Sequence, residues 1–191
     1  MRPTLLLLTI CIAAAGQSVV DRIAVVVGDQ VITESEVHRE VRLTAFLNGE
    51  PLDLSAASRR TAAERLVDQQ LIRTEMQVAG YPPVRESEGP ALLADFRRKN
   101  YPNDAAFRAL LAKYGLGEED LEQHLLRQVS ALRFTEQRFR LTNPATTESA
   151  DRVANPVASG TAGAETEDQM DAWLKQARSG TKIQFKKGAF Q

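Results

Sequence analysis

The chain is 191 residues long, 26% charged and 43% apolar, with a formal net charge of −1. That is an ordinary globular balance, in a length that holds one domain or a domain with a satellite. Near-zero net charge excludes the strongly basic footprint of a nucleic-acid or anionic-membrane binder, and no G-x-x-x-x-G-K phosphate loop is present.

Residues 1–15 differ in kind from the rest. Arg2 supplies a short positive region, Leu5–Ile12 an apolar core and Ala13–Ala15 a small-residue cleavage site. This pattern predicts a secretory signal peptide, too short for an ordinary membrane span. The lone Cys11 lies inside it, behind a bulky Ile10 where a lipid-attachment site wants a small residue. The exported chain is therefore expected to hold no cysteine and to rely on its core alone.

Order begins at Asp21–Val37, DRIAVVVGDQVITESEV. Ile23, Val25 and Val27 alternate with Ala24 and Val26 as in a buried strand, Gly28-Asp29 interrupts the run, and Val31-Ile32 resumes it, which predicts a tight hairpin. Thr33-Glu34-Ser35-Glu36 then reads as a capping box opening a helix. That helix spans about Glu34–Leu47, with Val37, Val41, Leu43, Phe46 and Leu47 on its apolar side, and Asn48-Gly49-Glu50-Pro51 stops it.

The second predicted helix, Ala56–Ala79, carries two stripes: Ala63, Leu66, Val67, Leu71 and Val78 form one, and Ile72, Met76 and Ala79 the other. Two stripes mark a helix covered on two sides, the centre of a small bundle. Tyr81-Pro82-Pro83 is a rigid connector. Ser87 is the expected cap of a third helix, Glu88–Asn100, where Pro90 is tolerable only in the first turn. Leu92, Leu93 and Phe96 are its apolar residues. Asn103 caps a fourth helix with Phe107, Leu110 and Leu111 inward, closed by Gly115 and Leu116.

The fifth helix, Glu118–Arg140, has acids crowding its start and Arg133, Arg138 and Arg140 its end, both favourable to the dipole. Leu121, Leu125, Val129, Leu132 and Phe139 supply its stripe. Thr142–Thr166, rich in Thr, Ala, Ser and Gly, reads as a flexible linker. A short helix, Glu165–Arg178, with Met170, Trp173, Leu174 and Ala177 follows, and then an alternating, Lys-flanked edge strand, Lys182–Lys186. A lone hairpin is marginal in water. The economical solution returns the C-terminal strand to the N-terminal hairpin, with Trp173 anchoring the last helix. The expected fold class is mostly α: five to six helices, with a small mixed sheet built from hairpin and terminal strand.

Three tracts, DRIAVVVGDQVITESEV, RLVDQQLIRTEMQVAGY and NDAAFRALLAKYGLGEEDLEQHLLRQVSALRFTEQRF, resemble the N-terminal domain of SurA-type periplasmic chaperones, over residues 20–141. The tail MDAWLKQARSGTKIQF, within 167–191, is similar to that family's C-terminal segment, which packs back on the N-terminal domain. Parvulin-type prolyl isomerase domains usually sit between the two parts, each of about a hundred residues, with a Gly-Gly-x-Leu-Gly stretch and paired histidines. Here that place holds only 142–166, without histidine or aromatic residue. The resemblance implies a periplasmic, ATP-independent holdase core without the isomerase, acting on unfolded or nascent envelope and outer-membrane polypeptides. It implies no cofactor, no nucleic acid and no stable membrane insertion after signal cleavage.

Local chemistry points the same way. His38 and His124 lack any H-x-x-x-H or H-E-x-x-H spacing and read as helix-surface or core-rim residues, so no metal or catalytic residue is assigned. The acidic run Glu118–Glu122 suits a helix start better than a cation loop. Ser35, Ser55 and Ser87 sit where caps and first-turn residues belong. Phe46, Leu47, Phe96, Tyr101 and Phe107 are first of all core candidates. They are also the candidate client contacts, since more apolar stripes than partners leaves a patch. Two rival functions stay open, a dedicated adaptor of an envelope complex and a degenerate prolyl isomerase.

Overall fold

The computed structural model describes residues 21–140 and 156–191, except for the side chains of residue 140 and of 156–165. The expected signal peptide and residues 141–155 of the expected linker lie outside the described residues.

The β-branched run after Asp21 forms β1 (Ile23–Val27) and β2 (Gln30–Thr33), paired antiparallel with Val26 opposite Val31. Gly28 takes φ +62° at the first turn position while Asp29 keeps a negative φ, the II′ signature that matches strand twist. One irregularity breaks the expected alternation. A bulge between Ile23 and Val25 buries Ala24 and Val25 side by side and turns Ile23 outward, 44% exposed.

Thr33 ends β2 and caps α1 (Glu34–Asn48). Its Oγ1 accepts the Glu36 N–H at 3.3 Å, and Glu36 Oε2 accepts the Thr33 N–H at 2.7 Å, the reciprocal capping box. Ser55 likewise caps α2 (Ala56–Val78). Ser87 does not cap the next helix; it lies within a 3₁₀ turn, Glu86–Glu88, that leads into α3 (Gly89–Asn100) with Pro90 in the first turn. Asn103 Oδ1 accepts the Ala105 and Ala106 N–H groups to open α4 (Asp104–Lys113). That helix ends as a Schellman motif: Gly115, φ +67°, donates to the Ala112 carbonyl and Leu116 to that of Leu111. α5 is Glu118–Arg140.

The expected linker is shorter than its composition suggested. α6 runs over Pro156–Gly180, so the stretch 156–166 is helical rather than loose. Pro at a helix start is pre-set for helical φ, and the glycines and threonines behind it are carried by continuity with the docked part of the helix. Then β3 (Ile183–Phe185) pairs antiparallel with β1, Val25 opposite Phe185 and Val27 opposite Ile183. The sheet order is β2-β1-β3 and every pairing is antiparallel, so the sheet is not mixed. Gly28 N–H donates to the Lys182 carbonyl and Lys186 N–H to that of Ala24, at 2.9 and 2.8 Å, tying both ends of β3 to the hairpin.

Three apolar clusters hold the elements. The first lies under the sheet and joins Val25, Val27 and Ile32 to Val37, Val41, Ala63, Val67 and Leu71, with Ile183, Phe185 and Phe190 packed against it. The second joins the end of α1 to α3, α4 and the start of α5. The third joins Ile72 and Met76 to Phe134, with Tyr81, Trp173 and Leu174 alongside. α2 thus serves two clusters with two faces, as its two stripes predicted. Val78, assigned to the first stripe, instead lies 81% exposed, because the helix has run past its last partner there.

Candidate binding cleft

The five candidate client contacts do come together, but as interior. Phe46 and Phe107 are fully buried, and Leu47, Phe96 and Tyr101 pack half-buried against them. Tyr101 stacks on Phe46 at 6.0 Å and meets Phe107 at 5.1 Å and Phe96 at 6.0 Å. Burial pushes the Tyr101 hydroxyl above its ordinary pKa, with neighbouring Tyr114 adding to the effect. α3 and α4 fold over the end of α1, and each ring seals the next. Phe46 and Phe107 therefore build the second cluster and line no open groove.

An apolar cleft lies elsewhere, on the C-terminal half of α2. A cleft of about 590 Å³ runs between that helix, the Tyr81–Val84 connector and α5. Its apolar lining is Ile72, Met76, Tyr81, Pro82, Pro83, Val84 and Ala131; Gln69, Arg73 and Arg127 stand on one side. Two prolines give a wall of fixed shape, and Met76 supplies a side chain that re-packs against varied partners. The sequence signal was the Tyr81-Pro82-Pro83 connector, a rigid apolar stretch directly after the helix.

Beside this cleft sits a polar group that sequence reading missed. Glu40 on α1 and His124 on α5 are 3% and 6% exposed. Glu40 Oε2 lies 3.8 Å from His124 Nδ1 and 3.8 Å from Arg127 Nη2, beyond hydrogen-bond range of both. Glu40 Oε2, His124 Nδ1, Arg127 Nε and Gln69 Oε1 are buried without a hydrogen-bond partner. Burial holds the Arg127 guanidinium below its ordinary pKa, Glu40 opposes that, and Arg73 and Arg39 add to the lowering. His124 is thus an interior residue rather than a rim one, while His38 stays half-exposed. An acid set among Val37, Val41 and Leu43 was the one clue; its partners stand some eighty positions away on another helix.

Among the described residues, no group of three or more His, Cys, Asp or Glu side chains converges as a metal site would. No described helix is long and apolar enough to cross a membrane.

Fold and cleft together define a class: a helical domain clasped by an antiparallel sheet of its two ends, with an amphipathic groove along its central helix. No family model matches the chain, and no curated protein matches it.

Proposed function

We propose that this protein is an ATP-independent holdase for unfolded polypeptides of the cell envelope. The observation that carries the reading is the cleft on α2, walled by Ile72, Met76, Tyr81, Pro82, Pro83 and Val84, which is apolar, preformed and opens along the edge of the third core. A client segment buried there is withdrawn from water for as long as it stays. Aggregation is then slowed by mass action on the unfolded state, and no step needs a nucleotide. Fixed proline walls lower the entropy cost of binding, and the pliable Met76 side chain broadens what fits. The likeness of the sequence tracts to SurA-type chaperones supports the same reading, and an exported chain would meet such clients in the periplasm.

The test is suppression of aggregation of several unrelated denatured proteins, including an outer-membrane one. Protection of all of them is expected, with loss in a Val84→Asp variant that keeps its thermal midpoint. Protection of none assigns the chain to the dedicated adaptors instead. Hydrogen exchange with and without client should slow at Ile72–Val84.

A further inference from the structure

The apolar cleft does not stand alone. A second one, of about 130 Å³, opens beside β2 where Val31 is half exposed, and the two share Gln69, Arg73 and Arg127. They therefore adjoin at these three residues. From Leu66 in the smaller cleft to Gln77 in the larger, the helix rises about 16 Å, the span of about five extended residues.

On the side of the larger cleft the lining carries two arginines and no acid. Arg73 is exposed, donates to Gln70 Oε1 at 3.1 Å, and makes no ion pair among the described residues. Arg39, by contrast, is matched by Asp120 at 2.8 Å. Arg127 reaches its nearest acid, Glu40, only at 3.8 Å and leaves Nε without a partner. Both guanidinium groups line both clefts; Glu36 and Glu40 stand with them in the smaller one, and the larger one has no acid in its lining. Forked donors of this kind select a carboxylate over a neutral amide, and partial burial strengthens the selection.

We propose that the joined clefts hold an extended polypeptide whose internal aspartate or glutamate sits on Arg73 and Arg127 while its apolar neighbours fill the Met76–Val84 cleft. This rests on the holdase reading and adds a chemical preference to it. The acid is internal to the chain, because the groove continues on both sides of the arginines.

The test uses residues 16–191 and fluorescence anisotropy with labelled, C-terminally amidated peptides of about twelve residues. Each has Val and Phe flanks and a central Glu or Gln. The Glu peptide should bind about tenfold tighter at low salt, the difference shrinking as salt rises. Arg73→Gln should bring the Glu peptide down to the Gln peptide, whereas Arg73→Lys, which keeps the charge but not the fork, should keep part of the preference. Equal binding of the two, both displaced by denatured client, overturns acid recognition and leaves the holdase intact. A Gln peptide with a free C-terminal carboxylate that matches the Glu peptide overturns the internal position. If neither peptide binds while aggregation is still suppressed, the clients bind elsewhere and the groove assignment fails entirely.

Discussion

Arg178 on α6 holds both carboxylate oxygens of Asp68 on α2, Nε to Oδ1 at 2.7 Å and Nη2 to Oδ2 at 2.8 Å. The two residues are 110 positions apart, and the same Nη2 also donates to the Glu64 carbonyl at 3.2 Å. The Asp68 hydrogen bonds raise the Arg178 pKa, with burial opposing. This forked pair seats α6 on the central helix and so aims β3 at β1. A double-mutant cycle with Asp68→Asn and Arg178→Gln should give a coupling of about 1 kcal/mol in urea unfolding. A coupling near zero would mean that α6 is positioned by its apolar side alone.

The tail closes the fold. Deleting Lys182–Gln191 removes the two hydrogen bonds at the ends of β3, the buried Ala189, and Phe185 with Phe190, whose rings meet at 5.9 Å beneath the Arg60 guanidinium. The deleted chain should lose at least about 3 kcal/mol, from apolar burial alone, and the β1 amides should exchange fastest. An unchanged thermal midpoint would show that the hairpin stands without its third strand.

Phe134 joins the end of α5 to α6. It is fully buried, 4.7 Å from the Trp173 ring and 6.1 Å from Tyr81. Phe134→Ala should cost about 4 kcal/mol, transfer and cavity together, and red-shift the emission of Trp173, the only tryptophan. The Phe134–Trp173 coupling should be about 1 kcal/mol in a double-mutant cycle. Unshifted emission would place the indole's shielding elsewhere.

Glu88 reports acid sensitivity. The hydrogen bonds from Arg133, at 2.5 and 3.3 Å, and then the Arg85 backbone lower its carboxyl from 4.5 to about 2. A carboxyl depressed in the folded state stabilises it above the unfolded pKa and ceases to do so as pH falls through the folded one. The contribution is therefore present at neutral pH and vanishes between about pH 4.5 and about pH 2. Wild type and Glu88→Gln should differ in thermal midpoint above that window and converge below it. Parallel curves across the whole range would mean the carboxylate is unpaired in solution.

Local features were legible residue by residue. Thr33 with Glu36, Asn103, and Gly115 with Leu116 each act within a few positions of themselves, and all three ends formed as expected. The stripe of α5 was read less well. Leu132, on the expected stripe, is 65% exposed, while Leu126 and Phe134 are buried. The first half of that helix packs on α1 and α3, and the second half on α2 and α6. Its inward face turns with its partners, and a single-helix periodicity cannot know them. Accordingly, Leu132→Gln should change stability by under about 0.5 kcal/mol, as surface substitutions do, whereas Leu121→Ala should cost about 3 kcal/mol. The packing of the candidate contacts was open for a related reason. Phe46, Phe96, Tyr101 and Phe107 are apolar enough for a binding surface or a core, and only the folding of α3 and α4 over α1 decided for the core.

From its amino acids alone, this chain settles the helix ends at Thr33, Asn103 and Gly115, its hairpin, and the pairing of its two ends, since an unpaired strand edge and an undocked amphipathic helix each need a partner. Tertiary structure decided the bulge that turns Ile23 outward, the burial of Glu40 against His124, and the junction of Arg73 with Arg127 beside an apolar cleft. The first set arises from hydrogen bonds and periodicities spanning a few residues. The second depends on groups far apart in the chain, brought together only when the helices pack.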